Sequence, residues 1–199
     1  YVFGNAWSGT AGDTIIEVAG GGFDTLDFSA VTTNLKFAIS SVVVTSGVFK
    51  ATHSGTYLEY LIGGSGTDTL DISALAGQQT VTLNGFGNID GYRGQIAAGL
   101  QFTNINVVTG SGDDTLRGLD ADAVWAVTGS NSGSYTSSAV SLTFSGLTNH
   151  VGGNKNDTLS FAAFNTARSI TVSTTGALDG FDLTAVSFSG IFKNINILI

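Results

Sequence analysis

Three residue types are absent from this 199-residue chain, which has no cysteine, no proline and no methionine. Without cysteine there is no disulfide bond, no thiolate zinc site and no cysteine nucleophile. Without proline, every residue keeps the backbone N–H that an interior β-strand must donate to its neighbour. These absences exclude thiol chemistry and fit a chain built of extended strands.

Charge is also scarce, since charged residues make up 11% of the chain against about 25% in an average globular domain. Seven basic and fifteen acidic residues give a net charge of −8. The basic residues are scattered singly, which argues against binding to nucleic acid or to an anionic membrane. No apolar run approaches the roughly 20 residues of a membrane span, so membrane insertion is not expected. Hydrophobic residues, at 42%, are enough for a substantial core.

The chain repeats itself with a period near 45 residues. The tripeptide Asp-Thr-Leu starts at Asp24, Asp68, Asp114 and Asp157, after glycine-rich runs such as GGSGTDTLDIS at 63–73. A related GTAGDTI lies at 9–15. We therefore predict one solenoid domain over 1–199, divided into a partial N-terminal coil and four repeats: 1–23, 24–67, 68–113, 114–156 and 157–199.

Two series of apolar residues follow the same period. One is spaced by 45 each time and the other by 44, 44 and 45; their members are Tyr57, Phe102, Leu147 and Phe192, and Phe37, Val81, Trp125 and Ile170. We predict that each series stacks as one buried ladder. The two series are offset by 20 to 22 residues, which predicts two coils per repeat and about eight coils in all.

The local pattern is that of β-strands. Segments such as QTVTLNG at 79–85 and RSITVST at 168–174 alternate apolar and polar residues. Thr, Val, Ile and Phe fill these segments, while Gly, Asn, Ser and Asp fill the joints between them. No segment is a convincing helix, and ADAVWAVTG at 121–129 reads equally well as a strand. The predicted fold class is all-β: a parallel β-helix or β-roll-like solenoid.

The glycine-rich aspartate turns resemble the RTX, or haemolysin-type, nonapeptide repeat GGxGxDxUx, in which U is a large apolar residue. GGSGTDTLD at 63–71 matches every fixed position, whereas GSGDDTL and GGNKNDTL are degenerate. The longer unit, with FxNI followed by the glycine-rich turn, looks like the repeats of very large secreted bacterial adhesins and surface-layer proteins. The resemblance covers roughly residues 9–199.

The resemblance implies calcium, which the RTX family holds between the turns of adjacent coils. Its ligands here would come from the aspartates within glycine-rich turns: Asp13, Asp24, Asp68, Asp113, Asp114 and Asp157. Calcium favours six to eight oxygen ligands, and turns that recur only every second coil make a poor cage. The alternative is that each carboxylate accepts backbone N–H bonds within its own turn.

Other constellations carry weaker signals. His53 and His150 fall at unrelated places in the repeat, which favours a surface or interstrand role over ligation or acid–base catalysis. No GxSxG motif is present, and the singly spread basic residues do not form the cluster that a polysaccharide lyase needs. Trp125 lies on a predicted core ladder, while Tyr135, in SNSGSYTSS at 130–138, is the aromatic residue expected to be exposed.

These observations predict a structural protein rather than an enzyme. We expect a rigid extracellular spacer on a bacterial cell surface, as part of an adhesin, a surface layer or a filament. The apolar segments YVFGNAW and FKNINILI predict that the solenoid continues into further repeats or associates end to end with another copy. The alternative function is a carbohydrate-active enzyme or a carbohydrate-binding module, for which the partner would be a cell-surface polysaccharide.

Overall fold

The computed structural model describes residues 1–7, 12–16, 21–40, 43–54, 58–97, 99–163, 167–186 and 190–199. Within these ranges the regular structure is entirely β, as predicted. No helix there is long and apolar enough to cross a membrane. The strands are β1 Asp13–Ile16, β2 Asp24–Asp27, β3 Lys36–Ala38, β4 Val43–Ser46, β5 Phe49–Ser54, β6 Leu58–Ile62, β7 Thr69–Asp71, β8 Thr80–Phe86, β9 Tyr92–Ile96, β10 Gln101–Ile105, β11 Val107–Arg117, β12 Ala123–Gly129, β13 Ser132–Ser137, β14 Val140–Val151, β15 Asp157–Ser160, β16 Ile170–Thr175, β17 Phe181–Ala185, β18 Phe192–Ile195 and β19 Ile197–Leu198.

The strands stack as a β-solenoid of about five turns, which confirms the predicted fold class, whereas the predicted number of about eight coils is wrong. Their pairings form two continuous series that meet in the long strands β11 and β14. The first series runs β2, β6, β10, β9, β8, β11, β14, β18, β17, β16. The second runs β1, β5, β4, β3, β7, β11, β14, β13, β12, β15, β19.

Each repeat contains an antiparallel three-strand meander that the prediction of two coils per repeat did not include. The four meanders are β3–β4–β5, β8–β9–β10, β12–β13–β14 and β16–β17–β18. The offset of 20 to 22 residues between the two apolar series is the length of this meander rather than of a solenoid coil. Parallel neighbours between coils lie further apart: Phe37 pairs with Leu70, and His150 with Phe192.

Each repeat contributes three segments to the solenoid. Because three is an odd number, equivalent segments of consecutive repeats fall in different series. The segments are an aspartate strand, a meander and a third strand. Because successive segments switch between the two series, the meanders of repeats 1 and 3 lie in the second series and those of repeats 2 and 4 in the first. Repeats 2 and 4 are therefore structurally equivalent, with an offset of 89 to 90 residues.

The predicted ladder residues are in the core, but they do not stack as predicted. Phe37, Val81 and Trp125 are buried and Ile170 is half-buried against the core. Phe102, Leu147 and Phe192 are buried as well, and Tyr57 lies outside the described residues. The single-ladder arrangement is wrong, because residues one repeat apart fall in alternate series. The observed columns are Phe37–Leu70–Val108–Phe144 and Val81–Leu116–His150–Phe192.

Candidate functional site

In three of the four repeats, the aspartate of the glycine-rich turn is buried and connects two coils. The Asp68 carboxylate accepts a hydrogen bond from the N–H of Gly64 in its own turn, at 2.6 Å. Its other oxygen accepts the N–H of Leu35, at 2.9 Å, just before β3 in the preceding coil. Leu35 lies outside any strand ladder, so its N–H depends on this carboxylate. Asp68 thus closes its own turn and fixes the start of the neighbouring meander.

Asp114 makes the same connection one repeat later. Its carboxylate accepts the N–H of Ser111 in its own turn and the N–H of Gln79 just before β8, each at 2.7 Å. The Ser111 hydroxyl donates a further bond at 3.1 Å. Like Asp68, Asp114 is completely buried. One carboxylate therefore bonds the N–H of Gln79, which lies outside the strands, and the N–H of Ser111, which lies in the irregular part of β11 between Thr109 and Asp114.

Asp157 is a variant of this arrangement. It accepts the N–H of Gly153 in its own turn at 2.8 Å, and its second oxygen accepts the indole Nε1–H of Trp125 at 2.9 Å. Trp125 lies in β12, the first meander strand of the preceding repeat. A buried indole N–H needs a partner, and Asp157 supplies one from the next coil.

Repeats 2 and 4 surround this aspartate with the same two asparagines. Asn104 and Asn194 have positive φ angles of 58° and 53°, a conformation that asparagine tolerates better than most residues. Their Nδ2 groups donate to the carbonyls of Gly63 and Gly152, in the glycine-rich turns. The N–H groups of Asp68 and Asp157 donate to the amide oxygens of Asn106 and Asn196. Each aspartate turn is therefore held from both sides.

A second carboxylate lies close to each of these two aspartates. Burial raises the pKa of Asp68 to about 7; the N–H bonds from Leu35 and Gly64 oppose this rise, and the charge of Asp90 adds to it. Burial likewise raises the pKa of Asp157 to about 6, with a smaller contribution from the charge of Asp179. Burial therefore moves the protonation of both carboxyl groups from the acid range towards neutral pH.

The other three predicted calcium ligands are not buried as Asp68, Asp114 and Asp157 are. Asp13 and Asp113 are exposed, and Asp24 is half-buried with its backbone N–H donating to Glu59. In the described part of the chain, no three His, Cys, Asp or Glu side chains come together as a metal site. The carboxylates of Asp68, Asp114 and Asp157 already face N–H donors. These residues do not fit a calcium cage, and their contacts favour the turn-capping alternative.

A melting experiment tests whether the aspartate turns bind calcium. Because the buried carboxylates face N–H donors, we expect the same melting temperature in millimolar calcium as in excess chelator. A ligand that binds only the folded state raises its stability by mass action. A clear upward shift in calcium that the Asp68→Asn variant lacks would contradict this expectation and restore the RTX-like prediction for that turn.

The histidines are buried in the core, which rules out the surface role that the sequence allowed. His53 in β5 and His150 in β14 are each 2% exposed. The ring of His150 is stacked on Phe192, with centroids 4.8 Å apart, and contacts Phe144. Burial lowers the pKa of His150 to about 3. This imidazole is therefore a neutral packing residue at physiological pH.

Changing His150 to leucine should remove an acid-sensitive position. Leu61 holds the matching place between Leu26 and Phe102, so leucine fits this column. The pKa of His150 in the folded protein lies below the ordinary value of about 6.5. The folded protein therefore loses stability as the pH falls from 6.5 towards 3, because only the unfolded chain can readily take up this proton. At pH 5 that loss is about 2 kcal/mol. Urea unfolding of both proteins at pH 7 and pH 5 measures it.

In the His150→Leu variant, the raised pKa values of Asp68 and Asp157 should determine how the free energy of unfolding still changes with pH. A raised carboxyl pKa stabilises the fold fully below the unfolded value of 3.8, and this stabilisation is lost as the pH rises through about 6 to 7. As the pH falls from 7 to 5, the free energy of unfolding of the variant should increase. That of the parent should increase less, or decrease. If the stability of the two proteins changed with pH in parallel, His150 would not destabilise the folded protein at acid pH, and the prediction would be wrong.

The aromatic residues do not form a sugar-binding platform where the sequence suggested one. Trp125 is buried, as predicted. Tyr135, predicted to be exposed, is also buried, and that prediction is wrong. The strand SGSYTS alternates half-buried and buried residues and turns Tyr135 inward, where its hydroxyl accepts the N–H of Leu119 at 2.8 Å. The composition of the segment concealed its alternation.

Sequence reasoning missed Asp90 and Asp179 and the two pairs of asparagines. The signal was available as near-copies one double repeat apart: GNIDGY at 87–92 with GALDGF at 176–181, and FTNIN at 102–106 with FKNIN at 192–196. These pairs become meaningful once the structural repeat is known to be two sequence repeats long.

Comparison with known proteins adds no relative to this picture. No family model, curated protein or solved structure matches the chain.

Proposed function

We propose that the chain is a structural segment: a rigid spacer in an extracellular bacterial adhesin, surface layer or filament. The observation that carries this proposal is the continuity of its core. A single hydrophobic cluster extends along the chain from Trp7 to Ile195. A core that connects every repeat resists bending between repeats, which is the property that a spacer needs.

The polar residues support the same proposal by what they contact. Asp68, Asp114 and Asp157 spend their oxygens on N–H groups of the turn and of the adjacent coil. A buried carboxylate that bridges two coils opposes their separation, because breaking one bond leaves a buried donor without a partner. This chemistry favours mechanical continuity between coils.

The extracellular location and the adhesin context rest on the resemblance to RTX-type repeats. The composition agrees with them: a net charge of −8 keeps a long repeat array soluble through mutual repulsion. The absence of cysteine removes thiols that would oxidise outside the cell.

Spin-label distances test the rigidity directly. Since the chain has no cysteine, labels can be attached at Thr14→Cys in β1 and Thr184→Cys in β17, exposed positions in the partial N-terminal coil and in the last repeat. We expect one narrow distance distribution, unchanged by soluble bacterial polysaccharide. A broad distribution would contradict the spacer. A distribution that polysaccharide shifts, together with saturable binding, would favour the carbohydrate-binding alternative.

A further inference from the structure

The outward face of the first strand series carries an unbroken row of directly opposed residues. Tyr60 lies opposite Gln101, Gln101 opposite Gln95, Gln95 opposite Thr82, and Thr82 opposite Arg117. These five residues are the polar row. With its neighbours on either side the row crosses eight strands, in the order Thr25, Tyr60, Gln101, Gln95, Thr82, Arg117, Val151 and Lys193. None of the eight is buried.

The long polar side chains of this row have no partner within the part of the chain that the structure describes. Gln95, Gln101 and Arg117 are exposed, and none of them makes a side-chain hydrogen bond or an ion pair there. By contrast, Gln78 and Gln79, just before β8, donate their amide groups to backbone carbonyls. The fold does not use the amides and the guanidinium of the polar row, which leaves them free to bind a ligand.

A shallow cavity of about 230 Å³ opens beside the polar row, and Arg93 contributes to its wall. The other polar side chains that line it belong to Tyr60, Asn84 and Gln101. Arg93 pairs with Gly85 of β8, and a Cβ placed on Gly85 would overlap Nε of Arg93. The glycine therefore leaves the space in which the Arg93 side chain lies across β8.

Two unpaired cations flank the same strand. Arg117 lies opposite Thr82 on one side of β8, and Arg93 lies opposite Gly85 on the other side. Among the described residues Arg93, like Arg117, makes no ion pair. The polar row contains no carboxylate, although the chain as a whole has a net charge of −8. A locally positive surface on an acidic protein favours an anionic ligand, because complementary charge steers the encounter.

An aromatic ring lies at the end of the polar row that is furthest from Arg117. Tyr60 is half-buried, and the centroid of its ring lies 6.3 Å from that of Phe23, which is 62% exposed. The face of an aromatic ring is negative, so it packs against the C–H groups on the apolar face of a sugar ring. Amides beside such a ring bind the sugar hydroxyl groups and fix the orientation of the ligand.

The spacing of the polar row also matches a saccharide chain. Successive members lie on neighbouring strands, which are about 4.8 Å apart. This distance is close to the length that one pyranose unit adds to an extended polysaccharide. A saccharide chain that runs across the strands therefore brings successive sugar units to successive side chains of the row.

The equivalent place in repeat 4 lacks this chemistry. With the offset of 89 to 90 residues between repeats 2 and 4, Tyr60 corresponds to Asn149 and Arg93 to Asp182. The same arrangement of strands is thus built with neither the aromatic ring nor the cation. Because the fold does not require these two side chains, their presence in repeat 2 favours a role in binding.

We propose that the polar row, together with Arg93, binds an extended acidic polysaccharide. Arg93 and Arg117 each present paired N–H groups to a sugar carboxylate, a geometry that a guanidinium suits. The amides of Gln95 and Gln101 bind hydroxyl groups, and the ring of Tyr60 packs against one sugar face. This site goes beyond the proposed spacer function, since it gives one face of the rigid rod a ligand.

Calorimetric titration of the full chain with oligogalacturonate, an extended chain of uronate units, tests this proposal. We expect saturable binding of oligogalacturonate and much weaker binding of its methyl ester, which keeps the sugar rings and removes the charge. Polyglutamate, which has carboxylates and no sugar rings, should also bind much more weakly. Equal binding of the methyl ester would overturn the role of the arginines. Equal binding of polyglutamate would overturn the saccharide in favour of an acidic polypeptide.

Two variants place in repeat 2 the residues that the fold already holds in repeat 4. Arg93→Asp and Tyr60→Asn should each raise the Kd for oligogalacturonate about tenfold or more. Arg117→Gln, at an exposed position, should weaken binding as well. The matched control is Lys155→Asp, because Lys155 is exposed in a glycine-rich turn outside the row and the change in charge equals that of Arg93→Asp. This control should leave the Kd unchanged, and melting temperatures close to that of the parent show that each variant is folded.

Absence of saturable binding to oligogalacturonate, or an equal loss in Arg93→Asp and Lys155→Asp, would overturn the proposed site. Neither result touches the proposed spacer function, which depends on the narrow spin-label distance within one chain. A ligand bound along one face of a rigid sheet should leave that distance unchanged. A broad distance distribution would instead contradict the spacer, whether or not the saccharide binds.

Discussion

Replacing Phe102 by alanine should lower the free energy of unfolding by about 3–5 kcal/mol, the range for truncating a buried phenylalanine. Phe102 is 1% exposed in β10. Its ring lies over Gly94 of the neighbouring β9, so closely that a Cβ at Gly94 would touch it. Because the ring fills the space that the glycine leaves, alanine would open a cavity that the rigid meander cannot close. Urea denaturation with a constant m-value measures the loss.

Phe86→Ala is the control for this prediction. Phe86 lies in β8 of the same meander, and it is 37% exposed. Its truncation removes less buried surface and should cost less than half as much. Equal losses for the two variants would mean that burial of Phe102 in the coil does not set its contribution.

Gly64→Ala should destabilise the protein by about 3 kcal/mol or more, at the upper end of the cost of overpacking. A Cβ on Gly64 would overlap the carbonyl oxygen of Val31 in the neighbouring segment. The obstructing atom is backbone, so no side chain can move aside. Displacing this turn would also pull the Gly64 N–H away from Asp68. Thermal melting compared with the parent measures the effect.

Gly4→Ala provides the matched control, because nothing lies within 4 Å of a Cβ placed there. It should leave the melting temperature unchanged. If Gly64→Ala and Gly4→Ala had the same melting temperature, the inference that the glycine-rich turn packs closely against the preceding coil would be wrong.

The solenoid could be predicted from sequence because a period along the chain directly reflects stacking of equivalent units. The alternation of residues in segments such as 79–85 also predicted strands and their buried faces. The partner of each strand could not be predicted. A parallel coil and an antiparallel meander both alternate with a period of two, so the segment between Val81 and Phe102 looked like a coil when it is a meander.

The aspartate turns were predicted in part for a similar reason. A glycine-rich run ending in Asp-Thr-Leu identifies a turn and a carboxylate that caps it, and Asp68, Asp114 and Asp157 behave in this way. The second partner of each carboxylate lies 32 to 35 residues earlier in the chain. That spacing differs from the 45-residue sequence period, because it depends on the length of a coil. Only the fold reveals the bridge between coils.

Amide hydrogen exchange at Leu35 and Gln79 tests most directly whether these aspartates hold adjacent coils together. Both N–H groups lie outside the strands, and each donates to a buried carboxylate one coil away. The amide of Ser29, which donates to Asp27 within its own exposed turn, is the internal reference. The account predicts that Leu35 and Gln79 exchange as slowly as core strand amides, and far more slowly than Ser29. Exchange of Leu35 and Gln79 as fast as that of Ser29 would contradict it.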